Sequence, residues 1–189
     1  SEQHNINIYL DNVNIKTSVG PALQINNNVE ATVTIYLTGK NKLTTTNQNS
    51  AGLEKNNTAH LTIDNSKNNT GELIAKGSDY GAGIGGGFGE HSGGKCMNIT
   101  ISGGSVDADA VYGAGIGGGP GNNYGGDCNT IIINGGLVKA YSSNGAGIGG
   151  GSGKSYGGAC NTIIINNGSV EAHSTNGADI GGGNGEYFG

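Results

Sequence analysis

The sequence predicts an all-β solenoid: a parallel, right-handed β-helix of about six coils, each of about 30 residues with three short strands. Three observations lead there. The heptapeptide GAGIGGG begins at Gly81, Gly113 and Gly145 and returns as GADIGGG at Gly177, a step of 32 residues each time. Cys96, Cys128 and Cys160 keep the same step, as do Val106, Val138 and Val170. Between these landmarks apolar and polar residues alternate with period two over short runs, which is the pattern of a half-buried strand, and no helical period appears. A three-stranded coil cannot bury its apolar face alone. Stacked on a copy of itself it can, because each inward side chain then meets its own equivalent above and below. The right hand follows from the preference of parallel crossovers.

The elements follow in chain order. Ile6 to Leu10 and Val33 to Leu37 alternate as strands of one type, continued by Leu61-Thr62-Ile63, Ile99-Thr100-Ile101 and the runs at Ile131 and Ile163. A second type carries Leu73/Ala75, Val106/Ala108, Val138/Ala140 and Val170/Ala172. A third begins with Ala22-Leu23-Gln24-Ile25 and Ala51-Gly52-Leu53, then repeats as Ala82/Ile84, Ala114/Ile116, Ala146/Ile148 and Ala178/Ile180. These apolar positions are the expected inward ladders, and β-branched residues suit such a pleated, buried surface. Asn134-Gly135-Gly136, Ser143-Asn144-Gly145 and the stretch Gly117 to Gly126 are the turn signals between them.

Of the 40 glycines, only Gly20, Gly39 and Gly52 precede Gly71. That shift marks where the repeat becomes regular. Residues 1–189 therefore read as a single β-helix domain, degenerate over 1–80 and regular over 81–189. The last repeat stops inside its glycine loop, before its Ile and Val strands, as in a piece of a longer protein whose remainder follows at the C-terminus.

Composition excludes several functions. The formal net charge is −5 and all nine basic residues are Lys, which argues against nucleic acid as a partner, because phosphate binding needs a basic stripe. No run of about 18 apolar residues exists, so membrane insertion is not expected. Glycine strings such as GAGIGGG open no helix, so they lack the dipole that cradles a phosphate. The GGxGxD calcium repeat of β-rolls is also missing. Thr-x-Thr pairs do not recur coil after coil, so a flat ice-binding array is not indicated.

Three features carry the candidate chemistry. The cysteines share one repeat position, about 4.8 Å apart if stacked in register. An odd count leaves at least one thiol free, and a buried apolar stack is the simplest outcome. The four His share no repeat position, so no metal site is expected. On the outward face of the second strand type, Asp107, Lys139 and Glu171 form one file, with Lys76, Asp109, Tyr141 and His173 beside it. Alternating charge of this kind relieves repulsion down a parallel stack. The same acids, base and imidazole are the candidates for a catalytic or Ca²⁺-binding patch, since β-helical lyases carry such groups on one face. The glycine loops, finally, present Ser92, Tyr124, Tyr156 and Phe188 at one position. Aromatic rings beside amides are a means of gripping sugars, the ring meeting C–H surface and the amides meeting hydroxyls. Tyr124, Tyr156 and Phe188 are the expected platforms, with Asn122, Asn123 and Lys154 as polar contacts. The competing reading is that Tyr124 and Tyr156 fold over Ile132 and Ile164 as a lid.

The pattern GAGIGGG-x-G-xxx-GG-x-C-N-x-I-x-I-xx-G-x-V-x-A, over about Leu61 to Gly189, resembles repeats of large extracellular proteins from gut-type anaerobic Firmicutes. Such regions are commonly labelled carbohydrate-binding or β-helical surface modules. The resemblance implies an extracellular or cell-surface location and a polysaccharide or host glycan as partner. It carries over no functional residue. The leading expectation is a non-catalytic module binding glycan along one lateral face. The alternatives are a β-helical polysaccharide lyase or hydrolase working through Asp107, Asp109, Lys139, Glu171 and His173, with Ca²⁺ as a possible cofactor, and a purely structural stalk.

Overall fold

A computed structural model describes residues 4–26, 28–65 and 71–187. The first coil contributes β1 (His4–Asp11), β2 (Asn14–Thr17) and β3 (Leu23–Ile25). The second contributes β4 (Ala31–Thr38), β5 (Lys40–Thr45) and β6 (Leu53–Lys55), and the third β7 (His60–Asn65), β8 (Glu72–Lys76) and β9 (Ile84–Gly85). The regular repeats follow with β10 (Ile99–Ile101), β11 (Ser105–Asp109), β12 (Ile116–Gly117), β13 (Cys128–Ile133), β14 (Leu137–Ser142) and β15 (Ile148–Gly149). The last coil holds β16 (Cys160–Ile165), β17 (Ser169–Ser174) and β18 (Ile180–Gly181). Three parallel sheets result, each of six rungs: β1-β4-β7-β10-β13-β16, β2-β5-β8-β11-β14-β17 and β3-β6-β9-β12-β15-β18.

The register is that of the sequence repeat. Val106 pairs with Val138 and Val138 with Val170; Ile99 pairs with Leu61 and Ile131; Ile116 pairs with Ile84 and Ile148. The degenerate coils obey it too, since Ile6 pairs with Val33, Val33 with Leu61 and Leu23 with Leu53. All three ladders point inward and are buried from Val33 to Ile148. Each inward side chain thus packs on a like shape one rung away, which gives close packing without any large residue.

The glycine after each ladder Ile follows from backbone geometry. Gly85, Gly117 and Gly149 have φ of +136°, +143° and +141°. A Cβ on Gly117 would lie 1.9 Å from the carbonyl oxygen of Gly149. Both the torsion and the close approach of stacked backbones demand glycine there.

One inward position is ionic. Lys55 is fully buried, and its ammonium donates to the carbonyl of Asn57 at 2.8 Å and to that of Met97. It sits where the short link of the second coil, residues 56–59, gives way to the first long glycine loop. Its neighbour Glu54 is also buried, accepting from the Ala51 N–H and from the side-chain amides of Gln24 and Asn56.

Candidate functional site

From the third coil onward, the link between the third and first sheets becomes a long glycine loop, and these loops stack on one another. Gly121 bridges in parallel to Gly89 and Gly153, and Tyr124 bridges to Ser92 and Tyr156. The loops are also tied to the turns that precede the third-sheet strands β6, β12 and β15. The Phe88 N–H donates to the Asn49 carbonyl at 2.9 Å, the Ser152 N–H and Oγ–H to the Tyr112 carbonyl at 3.1 and 2.7 Å, and the Asn184 N–H to the Asn144 carbonyl at 3.0 Å. Pro120 holds the equivalent place one coil earlier and has no N–H to donate.

Between turns and loops lies a groove of about 600 Å³, touching Asn49 at one end and Glu186 at the other. The turn side carries Tyr80, Tyr112 and Asn144, each 32 residues after the last, and the loop side carries Phe88, Pro120, Ser152 and Asn184 at the same spacing. Asn122, Lys154 and Glu186 form its outer edge. Tyr80 and Tyr112 are stacked, with centroids 5.0 Å apart and planes 10° from parallel, and Phe88 packs edge-on to Tyr80 at 5.6 Å. One end of the groove is therefore an aromatic wall and the other is lined by amides, a hydroxyl and two opposite charges. In the next coil the smaller Asn144 takes the place that Tyr80 and Tyr112 hold in theirs.

The residues expected from the sequence divide. Asn122 and Lys154 line this groove. Tyr124, Tyr156 and Asn123 stand on a separate file of the same loops. Tyr124 and Tyr156 stack on each other, 5.4 Å apart and 6° from parallel, while His91 and Tyr187 pack on the two outer ends of the pair. Asn123 joins this file through its amide, 3.2 Å from His91 Nδ1, and its carbonyl accepts the N–H groups of Ser155 and Tyr156. Tyr124 and Tyr156 thus stand within a file of packed rings and remain 42% and 37% exposed. The last-coil isoleucine that a lid would cover, Ile164, remains 40% exposed. Phe188 lies outside the described residues. The sequence reading missed Tyr80, Tyr112, Asn144 and Ser152; the signal was the shared place of Tyr80, Tyr112 and Asn144 immediately before each Gly-Ala-Gly-Ile.

The charged files form in the expected register: Asp107 beside Lys139 beside Glu171, and Lys76 beside Asp109, Tyr141 and His173. The groups pair with one another. Lys76 Nζ is 2.8 Å from Asp109 Oδ2, Lys139 Nζ is 3.0 Å from Glu171 Oε2, and the Tyr141 hydroxyl donates to Glu171 Oε1 at 2.5 Å. His173 Nδ1 lies 3.5 Å from Asp179 Oδ1. The hydrogen bonds from Tyr141 and Lys139 hold the Glu171 carboxyl below its usual range, and the bond to Glu171 holds the Lys139 ammonium above its own. Both shifts move away from neutral pH, opposite to what a general acid or base requires. Among the described residues, no group of three or more His, Cys, Asp or Glu is placed to hold a metal ion.

The cysteine file is in register. Cys128 and Cys160 are bonded as a disulfide with Cα atoms 4.5 Å apart, in place of the free thiol stack that the sequence favoured, and Cys96 is free and buried. Burial pushes the Cys96 thiol up to about 12.

Residues 68–88, 99–120 and 131–152 match a family model described as a beta helix repeat. The fold is a parallel β-helix, and these three stretches carry the repeat of that family. Each of the last two matched stretches runs from a strand of the first sheet, through the second and third, to the loop residue on the groove wall. No curated protein and no solved structure matches the chain. Among the described residues no helix is long and apolar enough to cross a membrane.

Proposed function

We propose that the β-helix binds carbohydrate without transforming it, in the groove between its turns and glycine loops. The observation that carries this reading is the groove itself: the rings of Tyr80, Tyr112 and Phe88 line it together with Asn122, Asn144, Ser152 and Asn184. An aromatic face takes the C–H side of a pyranose, while amides and hydroxyls exchange hydrogen bonds with its hydroxyl groups. Asn122 and Lys154 keep the roles expected of them, and the platform moves from Tyr124 and Tyr156 to Tyr80, Tyr112 and Phe88. The mutual pairing of Lys76, Asp109, Lys139 and Glu171 favours a solvated, charge-balanced face over a lyase site. A disulfide fits an oxidising, extracellular location.

Affinity-gel electrophoresis against a panel of polysaccharides tests the reading. Tyr112→Ala is expected to weaken retention tenfold or more, the loss of about 1.4 kcal/mol or more, while Tyr124→Ala combined with Tyr156→Ala changes it less than threefold. Retention that survives Tyr112→Ala, or no retention on any polysaccharide, refutes the groove as a glycan site, and the second result would leave the solenoid as a structural spacer.

A further inference from the structure

We infer that the ligand is a neutral, linear, β-1,4-linked glycan lying along the solenoid axis, with successive sugar rings on successive coils. This rests on the carbohydrate reading above and adds to it a direction, a minimum length and a charge class.

The direction comes from the repeat. Every wall of the groove is a file of residues 32 apart: Tyr80, Tyr112 and Asn144 on the turn side, and Phe88, Pro120, Ser152 and Asn184 on the loop side. In-register parallel neighbours are separated by about 4.8 Å. A groove reaching from the coil of Phe88 to that of Asn184 therefore runs roughly 15 Å along the axis. A volume of about 600 Å³ spread over that length is a trough and not a pit. It takes a chain of roughly three rings laid end to end.

The linkage comes from pitch. An extended β-1,4-linked chain advances per residue by nearly the separation of neighbouring rungs, so each ring meets the next coil's version of the same position. A helical α-1,4-linked chain curls away from a straight trough. The charge class comes from the edge file. Asn122, Lys154 and Glu186 succeed one another with no net charge, and the chain as a whole is at −5, which repels a polyuronate. The two ends of the trough differ, with aromatic rings at Tyr80 and Phe88 and amides at Asn144 and Asn184. A chain along the axis thus passes the rims of the stacked Tyr80 and Tyr112 rings at one end and meets hydrogen-bonding amides at the other.

Isothermal titration of the chain with glucose and the β-1,4 oligomers from cellobiose to cellohexaose, with maltohexaose and hexagalacturonate as contrasts, tests the inference. Affinity is expected to climb at least tenfold between the disaccharide and the tetrasaccharide and then level off. Maltohexaose and hexagalacturonate should bind no better than glucose. Asn184→Ala, which keeps the backbone bond to Asn144, should weaken cellohexaose at least threefold and leave cellobiose unchanged. Equal affinity for cellobiose and cellohexaose, or an Asn184→Ala loss that is the same for both, overturns the axial arrangement while glycan binding stands. Preference for maltohexaose or hexagalacturonate overturns the assigned class. Absence of binding to these oligomers and to every polysaccharide on the gel would sink the carbohydrate reading itself, and this inference with it.

Discussion

At the scale of single residues, two positions show what the stacked backbone and the buried interior demand. Gly117 combines φ of +143° with a site where a Cβ would meet the Gly149 carbonyl oxygen at 1.9 Å. Gly117→Ala is therefore expected to cost at least about 3 kcal/mol, from torsional strain and displaced backbone together. Gly20→Ala, with nothing within 4 Å of the added methyl, should stay within about 0.5 kcal/mol of the parent. Urea denaturation of the two variants compares them directly, and similar losses would contradict the stacked geometry. The second position is Lys55, whose burial lowers its pKa to about 8, beside Cys96, whose burial raises its thiol to about 12. The signs oppose. Between about pH 8 and 10.5 the unfolded chain holds the Lys55 proton that the folded chain has shed, so stability rises with pH. Above about pH 9 the unfolded chain loses the Cys96 proton that the folded chain keeps, so stability falls. Stability should rise from pH 8 to 9 and then flatten. Cys96→Ala should let the rise continue toward pH 10.5, and Lys55→Met should abolish it, each measured against the parent at the same pH. A Lys55→Met variant with the parent's slope would show that the ammonium is not desolvated as placed.

At the scale of elements, the ladders were legible wherever the inward residue is apolar. Ile99, Ile131 and Ile163, or Val106, Val138 and Val170, announce their own register. The strand β5 was not legible, and the reason is specific. The rung next to Leu73 is Asn41, which is buried with its amide donating to the carbonyls of Thr38 and Glu72 and its Oδ1 accepting from the Val13 N–H. A polar residue that satisfies its bonds inside the core breaks the apolar alternation on which a strand is recognised. Sharing of burial between neighbours also sets what each rung is worth. Ile116 lies between Ile84 and Ile148 and is fully buried, whereas Ile180 pairs with Ile148 alone and is 44% exposed. Ile116→Ala should cost about 2–5 kcal/mol and Ile180→Ala about 1 kcal/mol or less. Equal costs would mean that the rungs do not stabilise one another by contact.

At the scale of the whole molecule, the fold was written in the 32-residue step, but the groove was only half readable. Asn122 and Lys154 belong to the glycine loops, where the sequence draws the eye, whereas Tyr80 and Tyr112 stand in turns that look like mere connections until two coils are superposed. Tyr124 and Tyr156 form a separate file of stacked rings on the same loops; composition shows that a ring is present, and only the fold shows what it packs against. The same stacking fixes how stability is distributed. Each coil contacts only its neighbours, so protection should fall toward the two ends of the 189-residue chain. The inward residues of β7, β10 and β13 are fully buried, while β1 is largely exposed and Ile165 of β16 is 45% exposed. Hydrogen exchange followed by mass spectrometry should find the amides of β10 and β13 exchanging at least ~10-fold more slowly than those of β1 and β18. Uniform protection from end to end would show the six rungs opening as one unit. The cost of Gly117→Ala would then fall on the whole molecule at once; in the neighbour-coupled solenoid it appears first as faster exchange in β12 and in the strands β9 and β15 on either side.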